Sequence, residues 1–263
     1  MIVKRGLLLL VTVFMTISLV LVGCGSKANN NETSSSSSKK IRVGTEAQFP
    51  PFEKMESDGK ITGFDADIIA AVAKAAGMES DLKHMGWDAM FDGISRGKLD
   101  VAIAAITMTD ERKQKFDFSE PYFDAKQWIL LPKGSNVKTL KELNGKKIGV
   151  MAGTTGEEVV KNAFGKTYAN LKGYDDVPGA VDDLQLKRLD AVVVDKAVAI
   201  DYLKKLGQDK FETVEDPSIK IEKYGILVKK GNKELLNKIN EGLKKIRQDG
   251  TYDKIYEKYF GKK

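Results

Sequence analysis

IRVGTEAQFPPFEKMESDGKITGFDADIIAAVAKAAG, from Ile41 to Gly77, carries a strand and a helix in one α/β unit. Ile41 to Thr45 is a short β-branched run and predicts a strand. From Phe64 to Ala76, the apolar residues Ile68, Ile69, Val72, Ala73 and Ala76 recur at helical spacing, and Gly77 closes the helix. Downstream, Trp87 to Arg96 predicts a second helix and Val101 to Ala105 a buried strand. That order is βαβ, which implies a parallel sheet.

The alternation starts again near Trp128. Strands are expected at Trp128 to Leu131 and Lys147 to Val150, followed by a glycine-rich turn and helices at Glu157 to Phe164 and Ala180 to Arg188. A strand at Ala191 to Val194 and a helix at Ala197 to Leu206 come next. The chain then returns through Tyr224 to Val228 and ends in two amphipathic helices, Glu234 to Arg247 and Tyr252 to Phe260. The expectation is an α/β protein of two lobes, each about the size of a small domain.

Upstream, Lys4 and Arg5 precede an apolar run from Gly6 to Val20, and Leu21-Val22-Gly23-Cys24 closes it with the pattern of a bacterial lipobox. Residues 1–23 are thus expected to be a signal peptide, and Cys24 the acylated N-terminus that ties the protein to the membrane. The run from Gly6 to Val22 is nearly long enough to span a bilayer, so an uncleaved anchor is the competing reading. A lone cysteine followed at once by polar residues favours cleavage, and both readings place the remainder outside the cytoplasmic membrane. Gly25 to Lys40 is rich in Ser, Asn, Lys and Glu, with serines from Ser34 to Ser38, and reads as a flexible tether. A single lipid chain binds only marginally, so firm anchoring needs more than one on Cys24. With one cysteine the chain has no disulfide.

Apolar residues make up 42% of the chain, which is the content of a folded protein. The net charge of +6, from 43 basic and 37 acidic residues, is scattered without a basic block or aromatic–basic interleaving, which argues against nucleic acid as a partner. One histidine and no HExxH or Cys/His cluster argue against a metal. Gly93-Ile94-Ser95-Arg96-Gly97 matches a nucleophile elbow, but a helix precedes it and a strand follows, the reverse of what an elbow needs. The turn from Gly153 to Gly156 has neither Walker nor GxGxxG spacing, so a small carboxylate suits it better than a nucleotide.

In open α/β sheets, ligands bind beyond the carboxyl ends of the strands. Those positions carry Glu46 to Phe49, Ala104 to Arg112, Ala152 to Gly156, and Asp195. Together they complement a free α-amino acid. Arg112 offers a fork for the carboxylate, Thr107 a hydroxyl, and Gly153-Thr154-Thr155-Gly156 backbone N–H groups at a helix N-terminus. Asp195 offers the counter-charge for the ammonium, Phe49 and Trp87 are plates for the side chain, and Glu46 stands at its far end. Each has a structural alternative. Arg112 would be a solvated residue of a helix capped by Thr109, Asp195 the N-cap of a helix starting at Ala197, Phe49 and Trp87 ordinary core, and Glu46 an exposed loop acid.

At these residues the chain resembles the amino-acid-binding proteins of bacterial ABC importers, the polar and basic group that includes glutamine- and lysine/arginine/ornithine-binding proteins. The resemblance runs from about Ile41 to Phe260. It is carried by Gly44-Thr45-Glu46-Ala47-Gln48-Phe49-Pro50-Pro51-Phe52, Gly63-Phe64-Asp65, Thr107-Met108-Thr109-Asp110-Glu111-Arg112, Phe116-Asp117-Phe118-Ser119 and Tyr252-Asp253-Lys254-Ile255-Tyr256. It implies a two-lobed periplasmic-binding-protein fold of type II. Residues 41–123 with 224–263 form one lobe and 127–220 the other, joined by crossing segments at Tyr122 to Lys126 and Ile221 to Lys223. It implies that Arg112, Thr107 and the Thr155 backbone hold the ligand carboxylate. Asp195 and the Ala105 carbonyl take the ammonium, while Phe49 and Trp87 flank the side chain. Ala105 stands where some relatives have glycine or serine, and Met151 where some glutamine binders have lysine, which bears on side-chain specificity. The expected function is capture of a polar amino acid, arginine, lysine or histidine before glutamine, by a monomeric body without cofactor. Delivery is to an ABC permease and its ATPase. An enzyme on the same fold, a cyclohexadienyl dehydratase with Glu46 or Asp195 as general acid, is the rival.

Overall fold

The computed structural model describes residues 39–262. The signal peptide, Cys24 and nearly all of the tether lie outside them. Lys39 and Lys40, read as tether, instead begin the first strand, where they pair with Met78 and Glu79.

The chain opens with β1 (Lys39–Thr45), β2 (Gln48–Phe49), β3 (Glu53–Met55), β4 (Ile61–Thr62), α1 (Phe64–Ala75) and β5 (Met78–His84). It continues with α2 (Trp87–Ser95), β6 (Val101–Ala102), α3 (Asp110–Lys115) and β7 (Phe116–Phe118). Next come β8 (Phe123–Pro132), a 3₁₀ turn at Leu140–Leu143, β9 (Ile148–Met151), α4 (Thr155–Phe164) and β10 (Leu171–Tyr174). Then follow α5 (Val177–Gln185), β11 (Ala191–Asp195), α6 (Lys196–Leu206) and β12 (Phe211–Val214). The chain closes with β13 (Ile221–Tyr224), β14 (Leu227–Lys229), α7 (Lys233–Gln248) and α8 (Thr251–Phe260).

Two main sheets result, in the orders β5-β1-β6-β14-β7 and β10-β9-β11-β8-β12, with β13 on β8 and a small β2-β3-β4 sheet beside them. This is the α/β, two-lobed architecture expected. In the first sheet parallel pairing is confined to β5, β1 and β6, since β14 returns antiparallel to both β6 and β7. In the second sheet β9 runs parallel to β10 and β11, while β8 is antiparallel to β11 and β12.

Local chemistry accounts for the shifted boundaries. β6 stops at Ala102 rather than Ala105, because Ala105 turns into the left-handed region at φ 47° and its N–H goes to the Asp65 carboxylate. β8 is ten residues long because its first half pairs with β13 and its second with β11 and β12. α5 starts at Val177, three residues early, because the Asp176 carboxylate accepts the Gly179 N–H at 2.8 Å and Pro178 fits the first turn. α4 begins at Thr155 and α1 ends at Ala75.

The apolar stripe of α1 fulfils its sequence pattern, since Ile68, Ile69, Val72 and Ala73 are all fully buried. α7 packs on it so closely that a Cβ at Gly242 would lie 2.5 Å from the Val72 carbonyl oxygen. Phe64, at the start of α1, meets Tyr122, Phe123, Tyr252, Tyr256 and Phe260 at ring separations of 5.0 to 6.2 Å. That aromatic cluster surrounds Phe123, the first residue of β8. The carboxyl ends of β1, β6, β9 and β11 deliver the four candidate segments.

Candidate ligand-binding cleft

All nine residues singled out from the sequence, Glu46, Phe49, Trp87, Ala105, Thr107, Arg112, Thr154, Thr155 and Asp195, line one cleft. Glu53, Ala104 and Met151 complete the lining. Arg112 is the only cationic side chain among the lining residues, against three acids.

Arg112 sits in the first turn of α3, where the Thr109 hydroxyl accepts its N–H at 3.2 Å. The guanidinium then points into the cleft, so the solvated-helix alternative fails. Nη1 donates to the Thr107 carbonyl and Nη2 to the Gly153 carbonyl, both at 3.0 Å. The guanidinium carbon lies 5.3 Å from the Trp87 ring centre and 5.6 Å from that of Phe91. Burial lowers the Arg112 pKa, opposed by the charges of Glu158, Glu222 and Asp195. A guanidinium has five N–H groups, so one that gives two to carbonyls retains three for an anion.

Gly153 receives a second bond there, from the Trp87 indole N–H at 3.2 Å. Its φ of 71° and a hypothetical Cβ only 3.2 Å from Trp87 Nε1 explain why glycine occupies it. The turn is less open than the sequence suggested. The Gly153 N–H already donates to Glu157 at 3.0 Å, and the Thr154 hydroxyl to the Met151 carbonyl at 2.7 Å.

Asp195 stands at the N-cap position of α6, which starts at Lys196, yet its side chain makes no capping bond. It accepts instead from the Tyr224 hydroxyl and from Gln127. Only 8% exposed, its carboxyl is pushed up to about 7 by burial. Glu46 is 4% exposed, not the loop acid of the alternative reading, and burial raises its carboxyl to about 7 against a single bond from the Gln48 N–H at 3.3 Å. Phe49, nearly buried, stacks on Phe52 with ring centres 6.2 Å apart.

Sequence reasoning gave no role to Glu53 or Asp65, although Asp65 lies in the quoted Gly63-Phe64-Asp65. Asp65 Oδ2 accepts both the Ala105 N–H and the Tyr122 hydroxyl at 2.7 Å, which holds the Ala105 loop in its left-handed turn. Glu53 is 1% exposed, and its carboxyl shares a hydrogen bond with that of Asp65. Burial and the Asp65 charge push its carboxyl well above the usual range. Elsewhere Ser95 is the last residue of α2 and bonds the Phe91 carbonyl, while His84 accepts from the Ala47 N–H, so the two form no nucleophile–base pair. Among the described residues no His, Cys, Asp or Glu group could hold a metal ion, and no helix is long and apolar enough to cross a membrane.

The profile of the bacterial extracellular solute-binding proteins, family 3, matches residues 41–262. The chain belongs to this family. Among its family 3 relatives is a probable histidine-binding protein of Neisseria gonorrhoeae, 37% identical over 93% of this chain and 92% of that protein. The arginine-, lysine-, histidine-binding protein of Geobacillus stearothermophilus has a similar structure, with a TM-score of 0.82 and 45% identity over 86% of this chain and 96% of that one. An ancestral arginine-binding protein bound to glutamine superposes with a TM-score of 0.79 and 45% identity over 85% of this chain and 98% of that one.

Proposed function

We propose that this protein is a lipid-anchored extracytoplasmic receptor that captures a polar amino acid, with arginine, lysine or histidine preferred, and presents it to an ABC permease driven by an ATPase. One observation carries the reading: three buried acids and one partly buried cation line the same cleft. Arg112 would take the α-carboxylate and Asp195 the α-ammonium, with Thr155, Thr107 and the Ala105 carbonyl beside them. That pairing leaves Glu46 facing the side chain between Phe49 and Trp87. A buried carboxylate is stabilised by a cation, so a basic side chain suits it best. The names of the histidine- and arginine-binding relatives support the same ligand class.

The two lobes would be residues 41–123 with 224–263 and residues 127–220, hinged at Tyr122–Lys126 and Ile221–Lys223, and would close on the ligand. Cys24 would carry the acyl chains, with residues 1–23 removed and the tether up to Ser38 letting the body reach its membrane partner. No bond is made or broken. Micromolar affinity needs about 8 kcal/mol, within reach of one bidentate ion pair, one paired ammonium and two aromatic faces.

Glutamine is the second reading, favoured by the similar ancestral structure that holds it. Calorimetry of the ligand-stripped protein against all proteinogenic amino acids, with ornithine, citrulline and cystine, tests the proposal. Tight 1:1 binding of arginine, lysine or histidine supports it, and tight glutamine binding keeps the transport role but removes the Glu46 assignment. Silence across the panel overturns it and directs the next assay to prephenate and arogenate turnover.

A further inference from the structure

Glu222 lies on β13, paired opposite Ala125 of β8, in the segment that joins the two sheets. A single oxygen of its half-buried carboxylate, Oε2, accepts from Thr155 Oγ1 at 2.8 Å, Thr107 Oγ1 at 3.2 Å and Gln127 Nε2 at 3.4 Å. Thr107 follows β6 of the first sheet, whereas Thr155 opens α4 beside the second. Their hydroxyl oxygens are 3.3 Å apart. Glu222 therefore gathers one side chain from each proposed lobe and one from β8.

Each hydroxyl has one proton. A threonine that donates to Glu222 has only lone pairs left for any other partner, so it cannot also donate to a bound carboxylate. We propose that Glu222 is a positioning residue that latches the closed cleft by bridging Thr107 and Thr155. On this view the ligand carboxylate, in the function proposed above, is left to Arg112 and backbone N–H groups. Because the bridge needs both lobes together, it stabilises the closed form and slows ligand escape without adding a ligand contact.

The test is Glu222→Gln in the full chain, made in a Trp128→Phe background so that Trp87, which bonds Gly153 across the cleft, is the sole indole reporter. Loss of the charged acceptor should red-shift Trp87 emission in the ligand-free protein. It should also raise the arginine dissociation rate about tenfold while changing the association rate less than twofold. Thr155→Val should reproduce the red shift, and the double variant should exceed neither single one. This second variant also decides the matter if Glu222→Gln does not fold. Unchanged emission and dissociation rate in a folded variant, or equal changes in both rates without an emission shift, would overturn the latch. The emission measurement needs no ligand, so a failure of the amino-acid reading remains distinguishable from a failure of the latch.

Discussion

Raising the pH from 6 to 8 should tighten arginine binding more steeply than glutamine binding. Glu46 and Asp195 are each pushed up to about 7, chiefly because burial disfavours their charged forms. At pH 6 roughly a tenth of each carboxyl is ionised, and at pH 8 about nine-tenths. A cation that binds only the ionised acid gains ~tenfold in affinity per acid over that range. Arginine, meeting Asp195 with its ammonium and Glu46 with its guanidinium, should gain about 100-fold; glutamine, meeting Asp195 alone, about tenfold. Glu46→Gln should reduce the arginine slope to that of glutamine. The sign is fixed by the direction of the shifts. Raised carboxyls bind more protons in the folded protein than in the unfolded chain between about pH 4 and 7, so ligand-free stability falls as pH rises through that window, and a bound cation offsets the loss. Calorimetry at pH 6, 7 and 8 in two buffers of different ionisation heat reads both the affinity and the protons released, about one per acid at pH 6. An arginine affinity constant within twofold across the range, with heats independent of buffer, would refute the reasoning.

Arg112→Ala should weaken binding by about 30- to 4000-fold, from the ~2 to 5 kcal/mol lost when a buried charge pair is broken, with the melting curve little changed; near-native affinity in calorimetry would remove Arg112 from the site. Gly63→Ala should destabilise the fold by at least ~2 kcal/mol in urea unfolding, because φ is 129° and the new Cβ would fall 2.2 Å from the Phe52 carbonyl oxygen. A change under about 0.5 kcal/mol would contradict that geometry. Gly153→Ala should destabilise the fold by about 1 to 2 kcal/mol, because φ is 71°, and should weaken arginine binding about tenfold, since the methyl would crowd Trp87 at 3.2 Å; unchanged affinity would show that the cleft absorbs the methyl.

What could be read from the sequence was whatever is encoded locally. The stripe on α1 gave a helix because every fourth or third side chain had to be buried, and the strand-end rule pointed to eight of the nine candidate residues, all but Trp87. What could not be read depended on distant partners. β6 ends early because Asp65, 40 residues away, draws off the Ala105 N–H. The length of β8 is set by strands that come some sixty to a hundred residues later. Glu222 carried no motif at all, and only the fold places it against Thr107 and Thr155. Asp195 lines the cleft, and its side chain does not cap α6, because the Tyr224 hydroxyl, from the returning segment, donates to the carboxylate.

The buried acids also explain why a two-lobed cleft suits a cationic ligand. Above pH 8, holding Glu46 ionised in the closed cleft costs about 3 kcal/mol, from a rise of its carboxyl to about 7 and 1.36 kcal/mol per pKa unit. Asp195 adds a similar amount, ~4 kcal/mol. Against a total stability of about 5–15 kcal/mol, such a penalty favours any motion that returns water to the carboxylates. Opening of the proposed lobes would do so. The Glu222 bridge and the bonds from Trp87 and Arg112 to the Gly153 carbonyl oppose it, and a ligand that supplies two cations and one carboxylate removes the reason to open. In the function proposed above, closure would then depend on the charge of what is bound.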